Sequence, residues 1–352
     1  MTGQQQQALT LLLESRYLAK ADLSGLDLSG KDFSGCNFED VRFAGAILST
    51  ATLAGCRFQR CDLSGVKLSQ ANLIGAQFMS TDVHGATLDS VAATESNWSH
   101  CNLTGLQAAA ADFGQSYFEN CDFGNAQLPG VKFFKVSFHE CLVAGVNFSG
   151  ADLTRWTAMD MDLRGVNLAQ AKLVQAYLKG CNLEGQRFTG CDLTMTIFNG
   201  ANLQSTDLSG LALDRTSFMD AQLQQANMAA VKGEYTALLG ADLTLANLAG
   251  ASFEMADASD ANLTGARCAD SSWHMCMLQR IKAADAGFGN ASLVYCDLSH
   301  ADLGNADFSR ADLSGANLHA VRDSGTRWDG AERSGVRGTD EALARAERWQ
   351  AA

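Results

Sequence analysis

A five-residue period dominates this chain. Of the 62 sites that recur every fifth residue from Leu23 to Trp328, 48 are Leu or Phe, and Phe134 is the only Phe outside this frame. A period of five fits neither the 3.6-residue helix nor the 2-residue strand, so the chain has to turn at regular intervals. Because the frame never shifts, we expect one continuous repeat architecture without inserted loops.

The place two residues before each Leu or Phe is equally regular. It holds small residues such as Ala21 and Cys36, and ten of the 11 Cys residues lie there, with Cys268 as the exception. The other three places are rich in Asp, Asn, Ser and Gly, which favour turns. Each unit is therefore expected to point one large and one small side chain inward. We interpret the Cys residues as small buried hydrophobic residues, neither disulfide-bonded nor metal-binding, as suits a reducing cytosol.

Four units complete a square coil, so residues 20 apart are expected to stack. Such coils pair their backbone groups with the coils above and below, as parallel strands do. One inward series with this spacing is mostly aromatic: Phe38, Phe58, Phe78, Trp98, Phe118, Phe138, Ala158, Leu178, Phe198 and Phe218.

The repeat resembles that of the pentapeptide-repeat family, whose motif is A(D/N)LXX. It occurs here as ADLSG at 21–25, ANLIG at 71–75 and ADLTL at 241–245. The resemblance implies an all-β solenoid over 21–330, a right-handed quadrilateral parallel β-helix. Its 62 units make about 15 coils, which at about 4.8 Å per coil gives a rod of about 75 Å.

Short helical caps are expected at both ends, because a solenoid leaves its first and last coils open. Within an N-terminal segment 1–20, residues 7–18 predict a helix with Leu9, Leu13 and Tyr17 on one face. In a C-terminal segment 331–352, Asp340 is expected to N-cap a second helix. Its residues Leu343, Ala346 and Trp349 either cover the last coil or pair with another chain, and the family resemblance suggests a homodimer through this end.

No catalytic motif is present, and we predict neither enzymatic activity nor a cofactor. Only two His residues, His300 and His319, are expected to be near neighbours. They are too few for a metal site without a carboxylate aimed at the same point. The net charge of −13 disfavours direct binding to nucleic acid. We expect no membrane span and no secretory signal, and hence a cytoplasmic protein.

The candidate partner-binding residues are outward-facing apolar side chains. Tyr117, Tyr177 and Ile197 fall in one column of successive coils, and Phe134 is on the neighbouring side. Trp156 adjoins the column if it turns outward, but its exchange of places with Ala158 also fits a core solution that conserves volume. A second column is acidic, and either forms solvated turns or offers an anionic face to a basic partner. It comprises Asp62, Asp82, Asp122, Asp162, Asp242 and Asp302.

These features favour a non-enzymatic scaffold or adaptor that binds a protein in a bacterial cytoplasm, including as an accessory to a secretion or effector system. The alternative, implied by the family resemblance, is a DNA mimic that binds DNA gyrase or topoisomerase. The absence of projecting loops and the dilution of 39 acidic by 26 basic residues disfavour the mimic.

Overall fold

The computed structural model describes residues 2–347 and 349. It is a parallel β-solenoid of about 13 turns with two helices, which confirms the predicted fold class with slightly fewer turns than expected. The chain divides into two compact units, Met1–Tyr177 and Leu178–Ala352. Within the described residues, no helix has the length and apolar character needed to cross a membrane.

The first unit contains one helix and one eight-stranded sheet. Helix α1 spans Gly3–Ser15. The strands pair in chain order and in parallel. They are β1 (Tyr17–Ala19), β2 (Asn37–Glu39), β3 (Arg57–Gln59), β4 (Gln77–Met79), β5 (Asn97–Ser99), β6 (Tyr117–Glu119), β7 (Ser137–His139) and β8 (Thr157–Ala158). The register steps by 20 residues, as Phe38 opposite Phe58 shows.

The second unit contains a three-stranded parallel sheet and ends in a short helix. The strands are β9 (Lys232–Glu234), β10 (Ser252–Glu254) and β11 (Ser272–His274), and helix α2 spans Glu341–Glu347. On the other sides of the coils, single-residue parallel bridges repeat the 20-residue step, from Asn182 opposite Asn202 to Asn317 opposite Arg337.

Turn chemistry explains the five-residue unit. In the first repeat, Asp22 Oδ1 accepts a hydrogen bond from the Ser24 N–H at 2.9 Å, which is an Asx turn. Gly25 follows with φ = +67°, a conformation in which a Cβ atom is unfavourable. The Leu23 N–H then pairs with the Arg42 carbonyl of the next coil at 2.7 Å. One turn and one rung of the ladder therefore recur in each unit.

The inward aromatic ladder is confirmed in the first unit. Phe58 and Phe78 stack with ring centroids 4.7 Å apart and planes within 5°, and the stacking continues through Trp98 to Phe118. Phe138 instead lies edge-on to Phe118, at 5.2 Å and 71°. All eleven Cys residues are buried and free of disulfides, so their inward placement is also confirmed.

The N-terminal helix forms, but its buried face differs from the prediction. Thr2 and Gln5 make a capping box at its start, and Leu12 is the fully buried side chain. Leu13 and Tyr17 are exposed, and Tyr17 belongs to β1. Leu9 and Leu13 line an open cleft of about 600 Å³ against the first coil. The helix ends at Ser15, because Arg16 turns left-handed to start the first coil, and this sets which Leu is buried.

Candidate functional site

The Tyr117 column is an outward row in the first unit made of Tyr117, Ser137, Thr157 and Tyr177. The pairing register places these residues directly above one another on successive coils. Tyr117 is 37% exposed and Tyr177 is half-buried. The two Tyr residues are three coils apart, about 14 Å, with small hydroxyl residues between them. Partial burial and the neighbouring Glu119 raise the pKa of Tyr117 above the ordinary Tyr value of about 10, at which the hydroxyl is already protonated at neutral pH.

Phe134 provides a further exposed aromatic side chain, three residues before Ser137 in the chain. It lies on the turn that leads into β7, and 39% of it is exposed. The Lys135 ammonium is 5.2 Å from the centre of its ring, a cation–π distance. Phe134 thus presents an apolar surface beside a positive charge.

Trp156 does not contribute to this surface, and its assignment as a partner-binding residue was wrong. Its side chain is 0% exposed and packs edge-on against Phe138 at 5.5 Å. Ala158, at the large place of the same unit, is equally buried. The exchange of a large and a small residue therefore keeps the core volume, and the indole fills the space that Ala158 leaves.

Ile197 belongs to the second unit, where it pairs with Ser217 and is half-buried. Its carbonyl accepts a hydrogen bond from the Leu178 N–H at 2.8 Å, and its place in one column with Tyr117 and Tyr177 stays a prediction. Tyr117 and Tyr177 therefore share one outward row of the first unit, and their role in binding a partner stays a prediction, as does that of Phe134.

The six Asp residues of the acidic column act first as turn acceptors. Asp62 Oδ1, for example, accepts from the Ser64 N–H at 3.0 Å. Each of the other five Asp carboxylates accepts in the same way from the backbone N–H group two residues further along the chain. The donors are His84, Gly124, Arg164, Thr244 and Gly304. A carboxylate that caps its own turn has a structural role, whether or not a partner binds to it.

Cations also lie beside several of these carboxylates. Arg164 is 2.7 Å from Asp162, and this hydrogen bond lowers the pKa of Asp162. Arg322 lies 2.9 Å from Asp302, and Arg42 approaches Asp62 at 3.9 Å. Positive charge is thus interleaved with the acidic column.

The C-terminal helix does not cover the last coil with the predicted face. Asp340 caps it as expected, accepting from the Ala342 and Leu343 N–H groups. Ala344 is its buried residue, whereas Leu343, Ala346 and Trp349 are exposed, Trp349 by 76%. The helix is anchored at the edge of the coil near His319, and Leu343 lines an open cleft together with His319 and Glu347. Dimerisation through these three residues stays a prediction.

One group of three metal-ligand side chains occurs among residues 2–347 and 349: His300, His319 and Glu347. The two His residues are neighbours as predicted, with ring centres 5.3 Å apart. Glu347 lies 3.1 Å from His319 Nε2 and 3.4 Å from His300 Nε2. The sequence analysis missed Glu347, because only the fold of the C-terminal segment brings it here.

Hydrogen bonding in this group favours a hydrogen-bonded clasp over a metal centre. The Asp340 N–H donates to His319 Nδ1 at 3.1 Å, so the proton of the neutral ring lies on Nε2 and is donated to Glu347. Metal ligation through Nε2 requires the other tautomer, whose Nδ1–H would face the Asp340 N–H. The group therefore fastens α2 to the coil.

A second set of exposed apolar residues escaped the sequence analysis. In the second unit Tyr235, Met255, Met275 and Tyr295 occupy the fifth place of their units, 20 residues apart, and all four are exposed. The signal was present in the sequence, since the fifth place is elsewhere mostly Gly or polar.

Two family models match the sequence. The model for "Pentapeptide repeats (8 copies)" matches residues 17–55, 56–91, 96–134, 196–231, 234–270 and 286–322, and the model for a "Pentapeptide repeat region" matches 131–208. Comparison with curated proteins found no match.

Several solved structures that resemble this one are pentapeptide repeat proteins, at low similarity. A trypsin-treated variant of QnrB1, a plasmid-mediated fluoroquinolone resistance protein, is 17% identical over 65% of this chain and 91% of its own, with a TM-score of 0.38. HetL, a pentapeptide repeat protein involved in heterocyst differentiation regulation from the cyanobacterium Nostoc, is 18% identical over 93% of this chain and 94% of its own, with a TM-score of 0.20.

Proposed function

Since the chain belongs to the pentapeptide-repeat family, we propose that it is a non-enzymatic scaffold or adaptor that binds a partner protein in a bacterial cytoplasm. An accessory role in a secretion or effector system is one setting for such an adaptor. The observation that carries the proposal is the Tyr117 column, together with Phe134. Two Tyr rings stand outward at a fixed separation on a backbone that is hydrogen-bonded from coil to coil.

This arrangement suits protein binding for energetic reasons. Tyr is enriched among the residues that contribute most to binding at interface centres, and Phe134 adds apolar area beside it. The coil-to-coil ladder fixes the backbone before a partner arrives, so little conformational entropy is lost on docking. Ser137 and Thr157 are small, so a partner side chain can descend between the two rings.

A DNA mimic is the competing function, and the net charge of −13 is the observation that favours it. Two features of the structure disfavour it. The carboxylates of the acidic column are engaged by their own turns, and Arg42 and Arg164 lie beside them. The protein-binding scaffold is therefore the function that we adopt.

The scaffold is tested by capture followed by measured binding. Mass spectrometry of a pull-down names a candidate partner, which is then purified and titrated against the wild type and against Tyr117→Ala and Tyr177→Ala. We expect each substitution to weaken binding by about fivefold or more, equivalent to about 1 kcal/mol. The melting temperature should stay unchanged, because neither residue is fully buried.

Gln107→Ala is the matched control, since Gln107 is an exposed outward residue on another side of the coils. It should bind the partner as the wild type does. Full retention of the partner by both Tyr variants would show that the Tyr117 column is not the binding surface.

A further inference from the structure

Four large apolar side chains form an exposed line in the second unit, which we call the Tyr–Met ridge: Tyr235, Met255, Met275 and Tyr295. Their exposed fractions lie between 38% and 63%. The backbone fixes their spacing, since the Tyr235 N–H pairs with the Glu254 carbonyl of the next coil at 2.9 Å. The equivalent bonds of the other three are 3.0 Å long. The ridge residues are therefore one coil apart, about 4.8 Å.

Local backbone preference does not account for these residues. All four have φ between +51° and +58°, the left-handed region. Any residue with a Cβ atom is disfavoured there relative to Gly, and bulky residues especially so. Gly occupies the corresponding turn at Gly25 and at many later units, and the other residues found there are mostly polar or charged. These side chains are unfavourable in the turn and do not enter the core, which indicates that they have a role at the surface.

The structure also holds both ends of the ridge in place. The Arg215 guanidinium lies over the Tyr235 ring, 5.8 Å from its centre. At the other end the Tyr295 ring lies against the next turn, where a Cβ atom on Gly315 would be 2.5 Å from two of its ring carbons. His274 packs edge-on against the same ring at 6.2 Å.

Negative charge flanks the ridge on both sides. Glu234 and Glu254 precede it on the outward places of β9 and β10, and Asp257 and Asp297 follow it. Among the described residues, no cationic side-chain nitrogen lies within 4 Å of the Glu234 or Glu254 carboxylate. The ridge is thus an apolar line flanked by acidic residues, of which Glu234 and Glu254 form no ion pair among the described residues.

We propose that the Tyr–Met ridge docks an amphipathic α-helix of a partner protein, one with an apolar stripe flanked by Lys and Arg. Apolar residues at i, i+3, i+7 and i+10 of a helix span about 15 Å. The four ridge residues span about 14 Å, so the two rows stay in register. Met side chains adapt readily to a helix surface, and Tyr anchors both ends.

Other occupants fit less well. An added β-strand needs unpaired backbone groups, and those of the ridge already pair with the next coil. A nucleic acid would be repelled by the flanking carboxylates. The inference rests on the proposed scaffold function and adds a partner class at a second surface.

The test uses the full chain and a designed 14-residue helical peptide, with Leu at i, i+3, i+7 and i+10 and Lys on both flanks. Fluorescence anisotropy of the labelled peptide should show saturable binding to the wild type. Met255→Gly combined with Met275→Gly should weaken it at least tenfold. Because both positions are left-handed, Gly suits the turn there, and the melting temperature should not fall.

Two controls separate the ridge from general effects. Gln225→Gly with Ala230→Gly changes two other left-handed turns, with φ of +60° and +54°, and should leave peptide binding unchanged. A peptide with Glu in place of every Lys should bind at least tenfold more weakly. Glu234→Gln with Glu254→Gln should weaken binding of the Lys peptide severalfold.

The proposal is overturned if the Lys peptide fails to bind, if the Met255→Gly/Met275→Gly variant binds it as the wild type does, or if the Glu peptide binds as well as the Lys peptide. If sedimentation shows a dimer mass for the wild type and a monomer mass for the Met255→Gly/Met275→Gly variant, the occupant is instead a second copy of the chain. Loss of peptide binding alone leaves the scaffold function standing, because that function is measured separately at Tyr117 and Tyr177.

Discussion

At the scale of the residue, the five-residue frame predicts how much a substitution costs. Phe118 is buried in the aromatic ladder between Trp98 and Phe138. We expect Phe118→Ala to lower the free energy of unfolding by roughly 3–5 kcal/mol, because it removes a buried ring and leaves a cavity. Ser137→Ala, on an outward place of the same region, should change it by less than about 0.5 kcal/mol. Chemical denaturation measures both, and equal costs would contradict the frame.

The buried Cys residues give a second residue-scale prediction. Burial raises the pKa of the Cys56 thiol to about 12 and that of Cys276 to about 12, so the reactive thiolate is scarce at neutral pH. We expect a maleimide to label few thiols in the native protein and all eleven after unfolding, counted by mass spectrometry. Rapid native labelling of six or more would contradict their inward placement.

The sequence predicts which side chains point inward better than it predicts the role of those at the surface, and the reason is physical. The core place is enforced in every unit, so its period is visible without a structure. Trp156 shows the limit: the sequence left open whether it turns outward beside the Tyr117 column or fills the core in exchange with Ala158. The structure buries it, although its indole N–H lacks a hydrogen-bond partner within the described residues. By contrast, Trp98 donates to Ser96 at 2.8 Å.

At the scale of the element, strand pairing was predictable and helix docking was not. Each strand repeats a register of 20 residues, whereas each helix meets a coil only once. Helical periodicity in 7–18 therefore identified the helix but chose Leu13 rather than Leu12 as the buried residue. The contact depends on the direction in which the chain leaves Arg16, and no repeat encodes that direction.

The clasp on α2 gives an element-scale prediction. Glu347→Gln removes the negative charge that His300 and His319 contact at 3.4 and 3.1 Å. We expect faster hydrogen exchange at the Ala344 amide, which bonds to the Asp340 carbonyl at 2.9 Å. The His319 hydrogen bond lowers the pKa of Glu347. The stabilisation that the Glu347 carboxylate gives to the folded state is therefore fully present above the ordinary Glu pKa of about 4.3. It is lost as the pH falls through the lowered pKa of Glu347.

Arg345→Gln is the control for this experiment. Arg345 is an exposed residue of the same helix outside the clasp, so its variant should exchange as the wild type does. Unchanged exchange at Ala344 in Glu347→Gln would show that the capping contacts of Asp340 hold the helix without the clasp.

At the scale of the whole molecule, charge distribution separates the two functions. B-DNA carries one negative charge per about 1.7 Å of its axis. Even an unbroken column of Asp on successive coils would supply only one charge per about 4.8 Å. The column here is broken, since Asp122 pairs in register with Asn102 on one side and Leu142 on the other. A net charge of −13 is therefore not organised as a duplex backbone along this face.

We accordingly expect the purified protein not to inhibit DNA supercoiling by gyrase at low micromolar concentration in a gel-based assay. A DNA mimic would inhibit it, and the inhibition would weaken with added salt, because exposed charges are screened beyond about 10 Å at 0.1 M. Reversing the charges of Asp62, Asp82 and Asp122 to Lys would then relieve it. Salt-sensitive inhibition that these three substitutions abolish would make the DNA mimic the better function and the acidic column its binding surface.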